Sequence, residues 1–236
     1  MSSSQADKSA YRYFDLLMAF SAAVLLISNI ASSAKIVDLG FSVFGIRMAF
    51  DGGTLLFPLA YVLGDILTEV YGFRAAGRVI WTGFGILAFS SLVFFILRVL
   101  PGEGSWKTET GDAAYRAVLG GMSSGGIVLA SLAGYLAGEF SNAAVLAKIK
   151  TMMKGRMFWL RAIVSSLAGE FLDSLIFVTI ASLAGVFGWH LFLSLVLTNY
   201  ALKMAIEAAV LPLTSAAVRA LKKKETTKDQ TQTIEL

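Results

Sequence analysis

Six long apolar runs, separated by short charged connections, constrain this chain more than any other feature. They extend over Leu16 to Ala34, Gly52 to Tyr71, Val79 to Leu97, Ser123 to Ala147, Ala162 to Ala184 and Leu191 to Val218. A helix needs about 20 mostly apolar residues to cross the hydrocarbon core of a bilayer, and each run approaches that length. Barrel strands would read as segments of about ten residues with alternating polarity, which these are not. The expected fold class is therefore an all-α integral membrane protein with six transmembrane helices. Composition agrees: 56% of the residues are hydrophobic and 15% are charged, and the mean hydropathy is +0.71. Pro58 and Pro212 fall inside the second and sixth runs, where kinks are expected if neighbouring helices satisfy the freed carbonyls.

The basic residues set the expected orientation. Of the 20 lysines and arginines, Lys35, Arg47, Arg98, Lys107 and Arg116 lie in connections on one side, and Lys203 lies within a run. The other fourteen flank the opposite ends or occupy the tail, so the positive-inside rule puts both termini in the cytoplasm. Three regions follow: a cytoplasmic N-terminal segment over 1–15, a six-helix transporter domain over 16–218, and a basic, disordered tail over 219–236 that can attract anionic lipid. The polar first ten residues lead into a run without a convincing cleavage site, so the first helix is expected to remain. The multi-pass expectation makes the lipid bilayer a partner and the cytoplasmic (inner) membrane the location. The net charge of +4 does not indicate a nucleic-acid partner, because the basic clusters lack interleaved stacking aromatics.

The functional signal lies in charged residues placed where lipid is expected. Asp65, Glu69, Glu139, Glu170, Asp173, Lys203 and Glu207 all fall within runs. Each such group costs about 2.5 to 3.5 kcal/mol or more near the membrane centre, so it should face the bundle interior or a cavity. Asp65 and Glu69 are four apart, Glu170 and Asp173 three apart, and Asn199, Lys203 and Glu207 form a row of fours. Each group therefore shares one helix face. Six acids against one lysine cannot all ionise at low dielectric, and some must carry protons. An ionised carboxylate can also accept two parallel N–H donors from a ligand. Asn29 near the end of the first run is read either as a packing amide or as a ligand contact, and Tyr61 and neighbouring phenylalanines can stack a planar ring. Structural ion pairing between helices is the competing reading of the whole set.

Other chemistries are poorly supported. The chain has no cysteine and a single histidine, which excludes thiolate and multi-histidine metal sites. No metal or other cofactor is expected. A membrane-embedded enzyme stays open as an alternative, although no HExxH motif or nucleophile–base pair is present. No Gly-rich loop ends in Gly-Lys-Ser or Gly-Lys-Thr, so ATP hydrolysis of the P-loop kind is not expected. Leu136 to Phe140 (LAGEF) recurs as Leu167 to Phe171 in the next run. The repeated glycines, Gly138 and Gly169, allow two antiparallel helices to approach closely. Gly134 with Gly138 also permits a homodimer without requiring one.

Phe57 to Gly72 (FPLAYVLGDILTEVYG), Gly169 to Ser174 (GEFLDS) and Asn199 to Lys203 (NYALK) resemble motifs of the queuosine precursor transporters, also called the vitamin uptake transporter family. The resemblance runs from Ser28 to Pro212. It implies uptake of 7-deazaguanine precursors, the 7-cyano and 7-aminomethyl forms, for tRNA modification rather than an enzymatic activity. It also implies a substrate site drawn from Asn29, Tyr61, Asp65, Glu69, Glu139, Glu170, Asp173, Lys203 and Glu207. The family is similar in span number to the substrate-binding subunits of energy-coupling-factor transporters, which leaves room for a separate energy-coupling partner. Another nucleobase or a planar vitamin is the alternative substrate class.

Overall fold

The computed structural model describes residues 13–123 and 125–234; the side chains of 125–127 and of residues beyond 225 are outside the description. Helix α1 (Phe14–Ala34) leads into an antiparallel hairpin of β1 (Ile36–Val43) and β2 (Ile46–Asp51). A short 3-10 turn (Gly52–Leu55) precedes α2 (Phe57–Tyr71), and α3 (Phe73–Val99) follows at once. Two short helices, α4 (Gly104–Glu109) and α5 (Gly111–Ser123), lead to α6 (Gly125–Met152), α7 (Phe158–Leu183) and α8 (Phe192–Ile234).

The result is a polytopic helical membrane protein in which five of the six expected spans are clear. Among the described residues, five helical stretches are long and apolar enough to cross a bilayer, with α5 and α6 taken together as one. The expected second span is the exception, because α2 has only 15 residues. At about 1.5 Å per residue it covers roughly 22 Å, short of the core thickness of about 30 Å. Pro58 sits at the start of α2, where its missing N–H costs no helical bond. The expected kink there does not occur. Pro212 lies inside α8, which continues past it. Residues 219–234 of the tail expected to be disordered belong to α8, while most of the N-terminal segment lies outside the described residues.

A single β-hairpin joins the otherwise all-α bundle among the described residues. Its turn, Phe44-Gly45, has φ of 50° and 78°, the two positive values that a tight primed hairpin turn needs to match strand twist. Gly40, at φ 79°, lies in the irregular stretch between Asp38 and Ser42. Outside the bundle, the Arg47 guanidinium pairs with Asp38 and holds its carboxyl below the usual range. β2 leans on the start of α8, where the Ser194 hydroxyl donates to the Arg47 carbonyl.

Short as it is, α2 occupies the middle of the bundle. It packs against α1, α3, α6 and α8, and ten of its fifteen residues are buried. That position explains why its sequence is not amphipathic in the ordinary sense: both its apolar and its acidic residues meet protein. The most extensive helix pair is α6 with α7. Their crossing is set by the repeated glycines, since a Cβ on Gly169 would lie 2.8 Å from the Gly138 carbonyl oxygen, and one on Gly138 would lie 3.1 Å from the Gly169 carbonyl oxygen. The LAGEF copies thus face each other, as small residues at a membrane helix interface should.

Candidate functional site

The polar residues separate into four groups. At one end of the bundle, beside the α6–α7 turn, Glu69 of α2 receives cations from three other helices. Arg161 Nη1 and Nη2 lie 2.7 and 3.3 Å from its two oxygens, Lys222 pairs with Oε1, and Lys150 Nζ is 3.6 Å from Oε2. A carboxylate offers about four lone-pair positions; Arg161 and Lys222 engage both oxygens, while Lys150 adds its charge and donates to the Glu69 carbonyl at 2.7 Å. Glu69 is therefore placed as a tie between helices. Arg161, read from sequence as a topology signal, has a wholly buried side chain. Its remaining donors reach the Arg156 and Gly155 carbonyls at 2.9 and 3.2 Å.

At the hairpin end, Asp51 forms a hub that the sequence reading missed. It accepts from the Ser32 hydroxyl of α1, from Gly53 N at 3.1 Å, from Thr54 Oγ1 at 2.9 Å and from Asn199 Nδ2 of α8 at 2.9 Å. The 3-10 turn can approach α1 because Gly52 and Gly53 carry no side chain: a Cβ on Gly52 would lie 2.7 Å from the Ala31 carbonyl oxygen. Asp-Gly-Gly-Thr was the available signal, an acid at an N-cap position. It lay one residue outside the run counted as membrane.

The third group is the centre. Lys203 Nζ of α8 is 2.5 Å from Asp173 Oδ2 of α7, and the same ammonium stands 4.6 Å from the centroid of the Phe57 ring. Asp173, Lys203 and Tyr61 are 6%, 3% and 2% exposed. The Tyr61 hydroxyl has no hydrogen-bond partner and is close to Gly138, whose added Cβ would meet it. Beside this pair, Glu170 lies within hydrogen-bonding reach of Glu207, which also accepts from the Ser166 hydroxyl. This constellation joins α2, α6, α7 and α8, and it brings together Tyr61, Glu170, Asp173, Lys203 and Glu207 of the expected site.

The remaining expected residues lie around that centre. Asp65 Oδ1 accepts from Asn142 Nδ2 at 2.9 Å. Glu139 stands close enough to Asp173, Lys203 and Glu207 to feel their charges and also lines a cavity of about 20 Å³ with Ser21, Gly64, Thr68 and Tyr135, room for about one water. Asn29 donates to the Leu25 carbonyl of its own helix at 2.9 Å and accepts from the Ser131 hydroxyl, which ties α1 to α6. A much larger cavity of about 360 Å³ lies where α3, α4 and α5 meet, among Arg98, Trp106, Tyr115 and Arg116. Glu103 and Asp112 also line it, and none of the expected site residues does. Among the described residues, no three His, Asp or Glu side chains are placed to hold a metal ion.

The chain is a multi-pass helical protein with a polar layer buried between its helices. The chain belongs to the family described as "Putative vitamin uptake transporter", which matches residues 51–217. It is similar to the "Probable queuosine precursor transporter" of Bacillus subtilis (strain 168), with 25% identity over 174 residues, 73% of each chain. It is also similar to the "Queuosine precursor transporter" of Escherichia coli (strain K12), with 25% identity over 152 residues, 64% of this chain and 63% of the other. No solved structure is a significant match. The chain is thus a multi-pass protein of the inner membrane in a transporter family.

Proposed function

We propose that the protein takes up queuosine precursors, 7-cyano-7-deazaguanine and 7-aminomethyl-7-deazaguanine, across the cytoplasmic membrane through the layer between α2, α6, α7 and α8. The observation that carries this reading is the buried Asp173–Lys203 pair beside Phe57 and Tyr61. A 7-deazaguanine edge presents a ring N–H next to an exocyclic amino group, and an ionised carboxylate accepts both in parallel. Lys203 pairs with Asp173, and the aromatic rings supply flat apolar surface for the bicyclic base. The names of the two relatives support the substrate class.

Six crossings with both termini in the cytoplasm fit this reading. Helix α2 with the 3-10 turn before it spans about 30 Å, taking about 2.0 Å per residue for the turn, so the pair together suffices for one crossing. Since Asp173, Lys203 and Tyr61 are buried, a ligand enters only when α2 parts from α7 and α8.

Calorimetric titration of the purified protein with 7-aminomethyl-7-deazaguanine tests the site. Asp173→Asn places donors against the ligand's donors, and the expected loss is about 30-fold or more, the equivalent of 2 kcal/mol or more for a broken charged hydrogen-bonded contact. A folded variant with wild-type affinity would remove Asp173 from the site, and a wild type that fails to bind would remove the substrate.

A further inference from the structure

Glu170 and Glu207 pose a problem that the substrate reading leaves unanswered. Glu170 is fully buried and Glu207 is 2% exposed. Both oxygens of Glu170 and Oε2 of Glu207 have no hydrogen-bond partner when the two are treated as carboxylates, although the groups lie within hydrogen-bonding reach of each other. Two adjacent ionised carboxylates can only repel, and three buried acceptors without donors are a cost that native structures rarely carry. One proton removes the repulsion and leaves a single negative charge on the pair, and a neutral carboxyl donating to its neighbour gives two of the three oxygens a partner.

The surroundings are poor in positive charge. From α8, Lys203 and Tyr200 face Glu170; from α7, Asp173; from α2, Tyr61; and Asp65 of α2 and Glu139 of α6 face Glu207. The lone cation among these groups, Lys203, is already 2.5 Å from Asp173. Arg161, Lys150 and Lys222 are committed to Glu69.

We infer that Glu170 and Glu207 form a proton-binding site that couples transport to the proton gradient. The link to the ligand runs through Lys203. With the pair doubly ionised, Glu170 draws the ammonium away from Asp173; with a proton on the pair, Lys203 stays on Asp173 and holds it ready to accept the ligand. Proton and substrate therefore bind together and cross together. One coupled proton raises steady-state accumulation about tenfold for each pH unit of gradient. This coupling rests on the proposed uptake, whereas the proton on the pair does not.

Two measurements on the full chain separate those parts. Infrared spectroscopy of the purified, ligand-free protein at neutral pH should show a neutral-carboxyl carbonyl band that is missing from Glu170→Gln/Glu207→Gln. A difference spectrum containing carboxylate bands alone overturns the proton site. Should the double variant fail to fold, Glu170→Gln serves, because its amide puts a permanent donor where the proton sits and leaves Glu207 ionised. In proteoliposomes, wild type should accumulate 7-aminomethyl-7-deazaguanine about tenfold more per unit of outside-acid gradient, and Glu170→Gln should reach the same level with or without it. A wild type that binds this compound by calorimetry yet ignores the pH gradient, or follows a sodium gradient instead, overturns the coupling.

Discussion

Removing either partner of the Glu69–Arg161 pair should have very unequal effects. The two side chains are 1% and 0% exposed. Glu69→Gln removes the charge that compensates a wholly buried guanidinium, whose other acceptors are the Arg156 and Gly155 carbonyls. Breaking a buried pair from one side costs about 3 to 5 kcal/mol; the amide oxygen still accepts one N–H, so the lower figure, about 3 kcal/mol, is expected. Arg161→Met leaves Glu69 with Lys150 and Lys222, which are 34% and 43% exposed. Those lysines are screened by solvent and individually contribute at most about 1 kcal/mol, yet they spare the acid from isolation, and the cost should be about 1 to 2 kcal/mol. In Glu69→Gln/Arg161→Met no buried charge is stranded, which gives a coupling energy of about 2 kcal/mol. Equilibrium unfolding in mixed detergent micelles, followed by circular dichroism, measures all three variants. Equal costs for the two single variants, or a coupling energy below about 0.5 kcal/mol, would refute the view of Glu69 as a tie. Folded Glu69→Gln should keep its ligand affinity, because the wild-type carboxylate is already bound by Arg161 and Lys222.

The glycines offer a sharper contrast in the same assay. Gly138→Ala puts a methyl 2.7 Å from Asp173 Cβ and 3.1 Å from the Gly169 carbonyl oxygen and should cost about 1 to 3 kcal/mol, whereas Gly64→Ala meets only the movable Glu139 carboxyl and should be nearly neutral. Lys203→Met strands Asp173, so ligand affinity should fall and should not recover as pH is lowered from about 8 to 5, since a neutral carboxyl no longer accepts two donors; wild-type affinity throughout would make the lysine irrelevant to binding. At the hairpin, Asp38 has a lowered pKa because of Arg47 and the Gly40 N–H. Its contribution to local order is therefore present above the unfolded carboxyl pKa and is lost as pH falls through the lower folded value, which amide exchange at Gly40 should report in wild type and not in Asp38→Asn.

How far the sequence reached depended on how each residue is held. Hydropathy identified the long helices because burial in lipid demands continuous apolar length. In the second run the helix, α2, is shorter because it is surrounded by four helices: a segment shielded by protein need not be as long as one exposed to lipid. The rows of charged residues were legible as one-sided faces, and Asp173, Lys203, Glu170 and Glu207 do meet. Which acid pairs with the lysine was not legible, since Asp65, Glu170 and Asp173 were equally eligible by spacing. Partners across the bundle decided it, and a sequence lists no such partners. The same reason hid Asp51, whose four donors come from α1, the 3-10 turn and α8, and made Arg161 look like a surface charge. Counting charges by run does not separate these roles. Glu69 is held by cations from three helices and Asp173 by Lys203, while both oxygens of Glu170 and Oε2 of Glu207 have no hydrogen-bond partner. An acid bound by several cations holds helices together, and one with an unpartnered oxygen can still take up a proton. That distinction exists only once the helices are packed.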